Sequence, residues 1–318
     1  MIQSLIFGLE AKDRPRVGRE IMRFNHRLAD TGLFTDEALA RLIDEHPRSE
    51  LTVCTMQENP PPDQTWIAGE ANGLSGAELV EAASRGALWI SPRSAMTKNP
   101  RYKAVFDKVM GDFSKATGLR VLTADAAVLL SGAKMGIFFH VDPADTMLWH
   151  IRGTKTIHVY PPKQEHVTEQ ALEAILLKET LSDLPYRPEM EQDAVAVPLE
   201  PGEAVFWPQH SPHRVVNGPN LNVSVSVEFN TPRAALTNGV FYVNGVLRRR
   251  LGWAVRTRGT PAVLKPAYWA GAKALKVLSP PRHNVERAHV RQFDVDLSAP
   301  GCIRWREGFG PQALGEAA

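Results

Sequence analysis

The sequence predicts an α+β protein: a double-stranded β-helix, or jelly-roll, core with N-terminal helices and a C-terminal helical extension. Two changes of pattern predict it. Up to about residue 120 the chain shows capped, amphipathic stretches of helical period. Beyond that it shows short apolar or alternating runs broken by Gly, Pro and Asn, as in a barrel or sandwich. From Arg233 through Arg282 acidic residues are absent and the pattern is helical again.

Residues 1–120 read as an N-terminal helical region packed on the core. Thr35 followed by DEALARLIDEH reads as a capped amphipathic helix. The ENPPPD run from Glu58 to Asp63 is a loop, because successive prolines continue neither a helix nor an inner strand. Ser75 with Glu78 fits a capping box that opens the helix AELVEAASRG. Tyr102 to Gly118 reads as a third helix closed by glycine.

Residues 121–232 read as the β core, in runs such as AAVLL, GIFFHVD, KTIHVYPP, EAVFWP and NVSVSVEF, with a helical insertion near 165–191. Residues 233–318 form a basic C-terminal extension. From Arg233 through Arg282 the chain has ten Lys/Arg and no Asp or Glu. Such a run is either a solvated helical face or a contact surface for an anionic partner or a membrane surface.

Bulk properties exclude little. A chain of 318 residues, 43% hydrophobic, can bury one sizeable core. A net charge of +2 points to no particular partner. Two cysteines, Cys54 and Cys302, make neither a metal cluster nor a disulfide framework. The first residues carry no signal-peptide pattern, and no run reaches the ~20 apolar residues of a membrane span, so the expected location is cytoplasmic.

The chemistry centres on His140-Val141-Asp142. Alternate residues of a strand point to one side, so His140 and Asp142 can aim two ligand atoms at one point. An imidazole with a carboxylate suits Fe(II) and leaves room for a third protein ligand. The tripeptide alone is weak evidence, since composition yields about one His-x-Asp/Glu by chance. Further down, a Pro201-Gly202 turn, the strand AVFWP and a short loop lead to His213 at the far end of an expected hairpin; His210 is close enough to compete as the third ligand. Lys155 lies on the apolar face of its strand with Ile157 and Val159. A buried lysine needs a partner, either a bound carboxylate or a structural Asp or Glu. In Asn222 to Phe229 a polar row alternates with an apolar one, and the polar row is either solvated or lines a barrel pocket.

The segments SGAKMGIFFHVDP, WHIRGTKTIHVYPP and PGEAVFWPQHSPHR together resemble the JmjC-type, cupin-like Fe(II) and 2-oxoglutarate-dependent dioxygenases, especially their protein-hydroxylase branch, over roughly 121 to 230. The shared pattern is His-x-Asp, a lysine fifteen residues after the first His, and a downstream Pro-x4-His. The resemblance implies that His140, Asp142 and His213 ligate Fe(II), that Lys155 pairs with the distal carboxylate of 2-oxoglutarate, and that Thr146 contacts this cosubstrate. It implies a hydroxylase that consumes 2-oxoglutarate and O2, acts on an unidentified protein side chain or small metabolite, and has no catalytic residues beyond the metal ligands. Oligomeric state stays open: a homodimer is one possibility, with the region after Arg233 as its candidate contact. Phe138, Phe139, Trp149 and Trp207 are candidates for a dry shell; Phe138, Trp149, Trp207, Ser226 and Glu228 are the candidate pocket lining. Two residues depart from the family pattern: Ile137 stands where a hydroxyl residue is common, and Glu228 where an asparagine is common. Glu228 would place a carboxylate beside an anionic cosubstrate. The departures keep two alternatives open, a cupin metalloenzyme that does not use 2-oxoglutarate and a non-catalytic metal-binding regulatory protein.

Overall fold

The structure is a computed structural model and describes residues 4–253, 255–278 and 290–311. Two sheets form the barrel. Strands β1 (Ile6–Phe7), β2 (Met22–His26), β3 (Leu51–Thr55), β4 (Ile67–Glu70) and β5 (Trp89–Pro92) precede the core. The core strands are β6 (Thr123–Ser131), β7 (Gly136–His140), β8 (Asp145–Arg152), β9 (Lys155–Val159), β10 (Val195–Leu199), β11 (Glu203–Trp207), β12 (His213–Asn217) and β13 (Asn222–Asn230). They are followed by β14 (Phe293–Val295) and β15 (Ile303–Trp305). The large sheet runs β1-β2-β11-β8-β13-β6-β5-β3-β4-β14-β15 and the small one β10-β9-β12-β7. Strands β11-β8-β13-β6 and the small sheet enclose a core of Leu148, Val205 and Trp207 against Ile157, Val159, Val197 and Leu199. This is the expected jelly roll.

The outer face of the large sheet carries the helices. These are α1 (Asp36–Glu45), α2 (Gly76–Arg85), α3 (Ala95–Lys98) and α4 (Pro100–Thr117). Thr35 caps α1 by accepting from the Ala38 amide, and Ser75 and Glu78 make the reciprocal box at α2. Gly118, at φ 74°, ends α4 in the left-handed region that glycine adopts without strain. Met147, Trp149 and Ile151 of β8, with Val223, Val225, Val227 and Phe229 of β13, pack outward against Phe106, Val109 and Phe113 of α4. Period-two alternation therefore sends Thr146, Leu148 and His150, and Asn222, Ser224, Ser226 and Glu228, into the barrel. The polar row of β13 is interior.

The sequence predicts a helical region over residues 1–120, and there the structure differs: five strands from that region extend the large sheet at both edges. The runs LTVCT, IAGE and WISP are buried on both faces, so they carry no alternation to mark them as strands. The insertion contains α5 (Glu169–Leu176). The extension contains α6 (Pro232–Leu251) and α7 (Lys265–Leu278), which pack on each other, but also the non-helical β14–β15 hairpin. Part of the expected basic run, including Arg282, lies outside the described residues. Strand β14 pairs with β4, where a Cβ on Gly69 would sit 2.2 Å from the Phe293 ring. Cys54 and Cys302 are buried and unbridged. Among the described residues no helix is long and apolar enough to cross a membrane.

Candidate metal centre

His213 does not lie at the end of a hairpin as expected. Strand β11 pairs with β8 and β2, whereas β12 pairs with β9 and β7, so residues 208–212 cross from one sheet to the other. That crossover is what delivers His213: it opens β12 directly opposite His140, the last residue of β7. The imidazoles are cross-strand neighbours, with ring centroids 4.2 Å apart. Asp142 follows β7, where the Val141 amide donates to Ser182 O. Its Oδ2 lies 3.4 Å from His213 Nε2, and its Oδ1 4.0 Å from His140 Nε2. One ligand atom from each residue falls within 4.8 Å of the others.

The tautomers suit a cation. His140 Nδ1 lies 2.8 Å from Phe138 O and His213 Nδ1 lies 3.2 Å from Ser211 O. A carbonyl only accepts, so each Nδ1 carries a proton, which leaves each Nε2 facing Asp142 as the ligating atom. Burial first, then the neighbouring His140, pushes His213 down to about 4, so its imidazole is neutral at ordinary pH. Two imidazoles and one carboxylate form the donor set that fits a divalent metal such as Fe(II).

A cavity of about 700 Å³ opens on these three residues. Phe138, Thr146, Trp207, Ser226 and Glu228 line it. Trp149 does not: it is fully buried in the outer core against Phe106, because it alternates with the inward-facing Leu148. Phe139 likewise points away, under Tyr160 and α5. His210 is not at the centre; its Nε2 donates to Asn238 Oδ1 at 2.8 Å.

Lys155 is buried beside the interior His150, and burial alone lowers it to about 7. Among the described residues no carboxylate ion-pairs with it. Ile157, two residues along the same strand face, lines the cavity. His150 donates through Nε2 to Gly153 O and accepts through Nδ1 from the Ser224 hydroxyl, a neutral arrangement. Glu228 is exposed to the cavity. The Asp142 charge first, and desolvation second, raise it to about 8.

Other lining residues carried no sequence signal. Trp66 and Trp89, with rings 5.0 Å apart, come from the N-terminal strands and loop, and Ser182 and Asp183 from the insertion. Asp183 bridges to His140 through the backbone. Only the tertiary fold brings these segments to the site.

Residues 79–234 match the family model of the cupin-like domain. No curated protein matches the sequence. Among solved structures, the X-ray structure of Escherichia coli ycfD aligns at a TM-score of 0.51 and 18% identity, covering 88% of this chain and 71% of that one. A structure described as the Escherichia coli ribosomal oxygenase YcfD gives 0.49 and 17%, covering 89% and 70%. The first likeness shows a shared fold. Fold and family model agree: this chain contains a cupin-like domain over residues 79–234.

Proposed function

We propose that the protein is an Fe(II)- and 2-oxoglutarate-dependent oxygenase that hydroxylates a protein side chain or small metabolite. One observation carries the reading: His140, Asp142 and His213 aim three donor atoms at one point on the floor of a large cavity, within a barrel that also buries a lysine with no carboxylate partner among the described residues. When bound, Fe(II) with 2-oxoglutarate and O2 supplies oxidative decarboxylation to succinate and CO2, coupled to hydroxylation of a C–H bond.

The chain's own residues supply position and environment. The Phe138 and Ser211 carbonyls hold both imidazoles in the ligating tautomer. Lys155 offers a compact charge to the distal carboxylate, which would offset the cost of its burial. Thr146 lines the cavity wall, and in this reading its hydroxyl would hydrogen-bond the cosubstrate. Phe138 and Trp207, on the cavity wall, would keep water from a bound metal. The catalytic unit in this reading spans residues 121–232, with the regions before and after it as accessory segments.

One observation favours a second reading, a metal-dependent cupin that does not use 2-oxoglutarate: the Glu228 carboxyl lines the cavity where an anion would enter. Incubating the Fe(II)-loaded protein with 2-oxoglutarate and O2 and measuring succinate separates them. Succinate above the Asp142→Ala background supports the oxygenase. None, in protein verified to hold iron, supports the second reading.

A further inference from the structure

Behind the metal centre lies a second cavity of about 470 Å³, in the size range of small-ligand sites. Four cationic side chains from four separate segments line it: Arg19, Arg233, Arg258 and Lys265. No lining residue is acidic. Among the described residues none of the four ion-pairs with a carboxylate. Arg258 donates instead to neutral acceptors, Gln164 Oε1 at 2.6 Å and Val167 O. Glu169 is turned to the amides of Thr257 and Arg258, where it anchors the loop that carries that arginine. Asp145 feels the charge of Arg233, but its buried carboxyl accepts from the Thr231 hydroxyl. The Arg233 guanidinium crosses to Gly18, where a Cβ would lie 3.4 Å from Nη1, so the first and second segments close on each other.

The floor of this cavity is built rather than incidental. His210 is buried there at φ 64°, a left-handed conformation costly for a residue with a side chain. Its imidazole and the Gln209 amide both donate to Asn238 Oδ1, and Asn238 and Gln209 donate to Pro143 O. Four cations around one cavity repel one another, and that repulsion is offset only in part by Glu165 and Glu169 acting on Arg258 and by Asp145 near Arg233. A dianion relieves that repulsion, and guanidinium forks match the oxygens of a phosphoryl group.

We propose that this cavity binds a small phosphorylated metabolite, with Arg233 and Lys265 holding the phosphoryl group and Arg19 and Arg258 completing its charge. The site does not depend on the oxygenase reading, although Pro143 and residues 209–213 join it to the metal centre.

Calorimetric titration of the metal-loaded full chain with inorganic phosphate and with glycerol phosphate tests it, against sodium chloride at matched ionic strength. Saturable binding is expected for both phosphates and not for chloride. The double variant Arg233→Gln/Lys265→Gln weakens it by about tenfold or more, while Asp142→Ala retains it. Absence of saturable binding, unchanged affinity in the double variant, or loss in Asp142→Ala overturns the proposal. Should the double variant fail to fold, Arg19→Gln alone weakens binding by about threefold or more; unchanged affinity there overturns it equally.

Discussion

His213 Nε2 lies 3.4 Å from Asp142 Oδ2, although strands β8 to β11 and helix α5 separate the two residues in the chain. The pair exists because β12 enters the small sheet beside β7 and not the large sheet beside β11. Replacing one member of such a set removes a ligand and leaves the others without a cation to share. His140→Ala and Asp142→Ala are each expected to lose bound iron, by elemental analysis after gel filtration, together with all 2-oxoglutarate turnover, while the far-ultraviolet circular dichroism is retained.

Lys155 sets function against stability. Its folded value of about 7 lies below its ordinary 10.5, so the buried charge costs most at and below pH 7, and the cost falls as the pH rises toward 10.5. Lys155→Met should therefore raise stability at pH 7 by about 1–4 kcal/mol, read by denaturant unfolding, with a smaller gain at pH 9. The same variant should keep its iron and need far more 2-oxoglutarate.

The pH dependence of cosubstrate binding follows from the same group. A carboxylate needs the ammonium form, so wild-type affinity for 2-oxoglutarate should be flat below pH 7 and fall by up to about tenfold per unit above it. Anaerobic titrations between pH 6 and pH 9, followed by the charge-transfer absorption of the iron complex, check this. In Lys155→Met the slope above pH 7 disappears.

Glu228 lines the cavity with a carboxyl held up to about 8, chiefly by Asp142. Glu228→Gln keeps the shape and removes the capacity for charge. Iron content should be unchanged, and half-saturation by 2-oxoglutarate equal to or lower than wild type. A higher requirement would mean that this carboxyl assists the cosubstrate.

At the edge of the large sheet, Gly69→Ala forces a methyl group into the Phe293 ring, 2.2 Å from its Cζ. Overpacking of this kind costs about 1–3 kcal/mol. Thermal unfolding should show the loss, and limited proteolysis should cut near β14 sooner than in wild type.

Much of the fold was legible because its signals are local. The caps at Thr35 and Ser75, the glycine closing α4 and the alternation in β13 are each written within a few residues. What escaped depends on tertiary context. Strands β3 to β5 are buried on both faces and carry no period, and the crossover before β12 looks locally like a hairpin. At the candidate site, alternation decides which neighbour faces inward. Leu148 enters the barrel and Trp149 leaves it, a choice that needs the position of the helices. Trp66 and Asp183 reach the cavity from segments with no motif of their own.

The central claim is best tested by a crystal structure grown without oxygen in the presence of Fe(II) and 2-oxoglutarate. The account predicts one iron at roughly 2.0–2.2 Å from His140, Asp142 and His213, with the distal carboxylate of 2-oxoglutarate against Lys155 Nζ. Iron held by other residues, or a cosubstrate whose distal carboxylate lies away from Lys155, would contradict it.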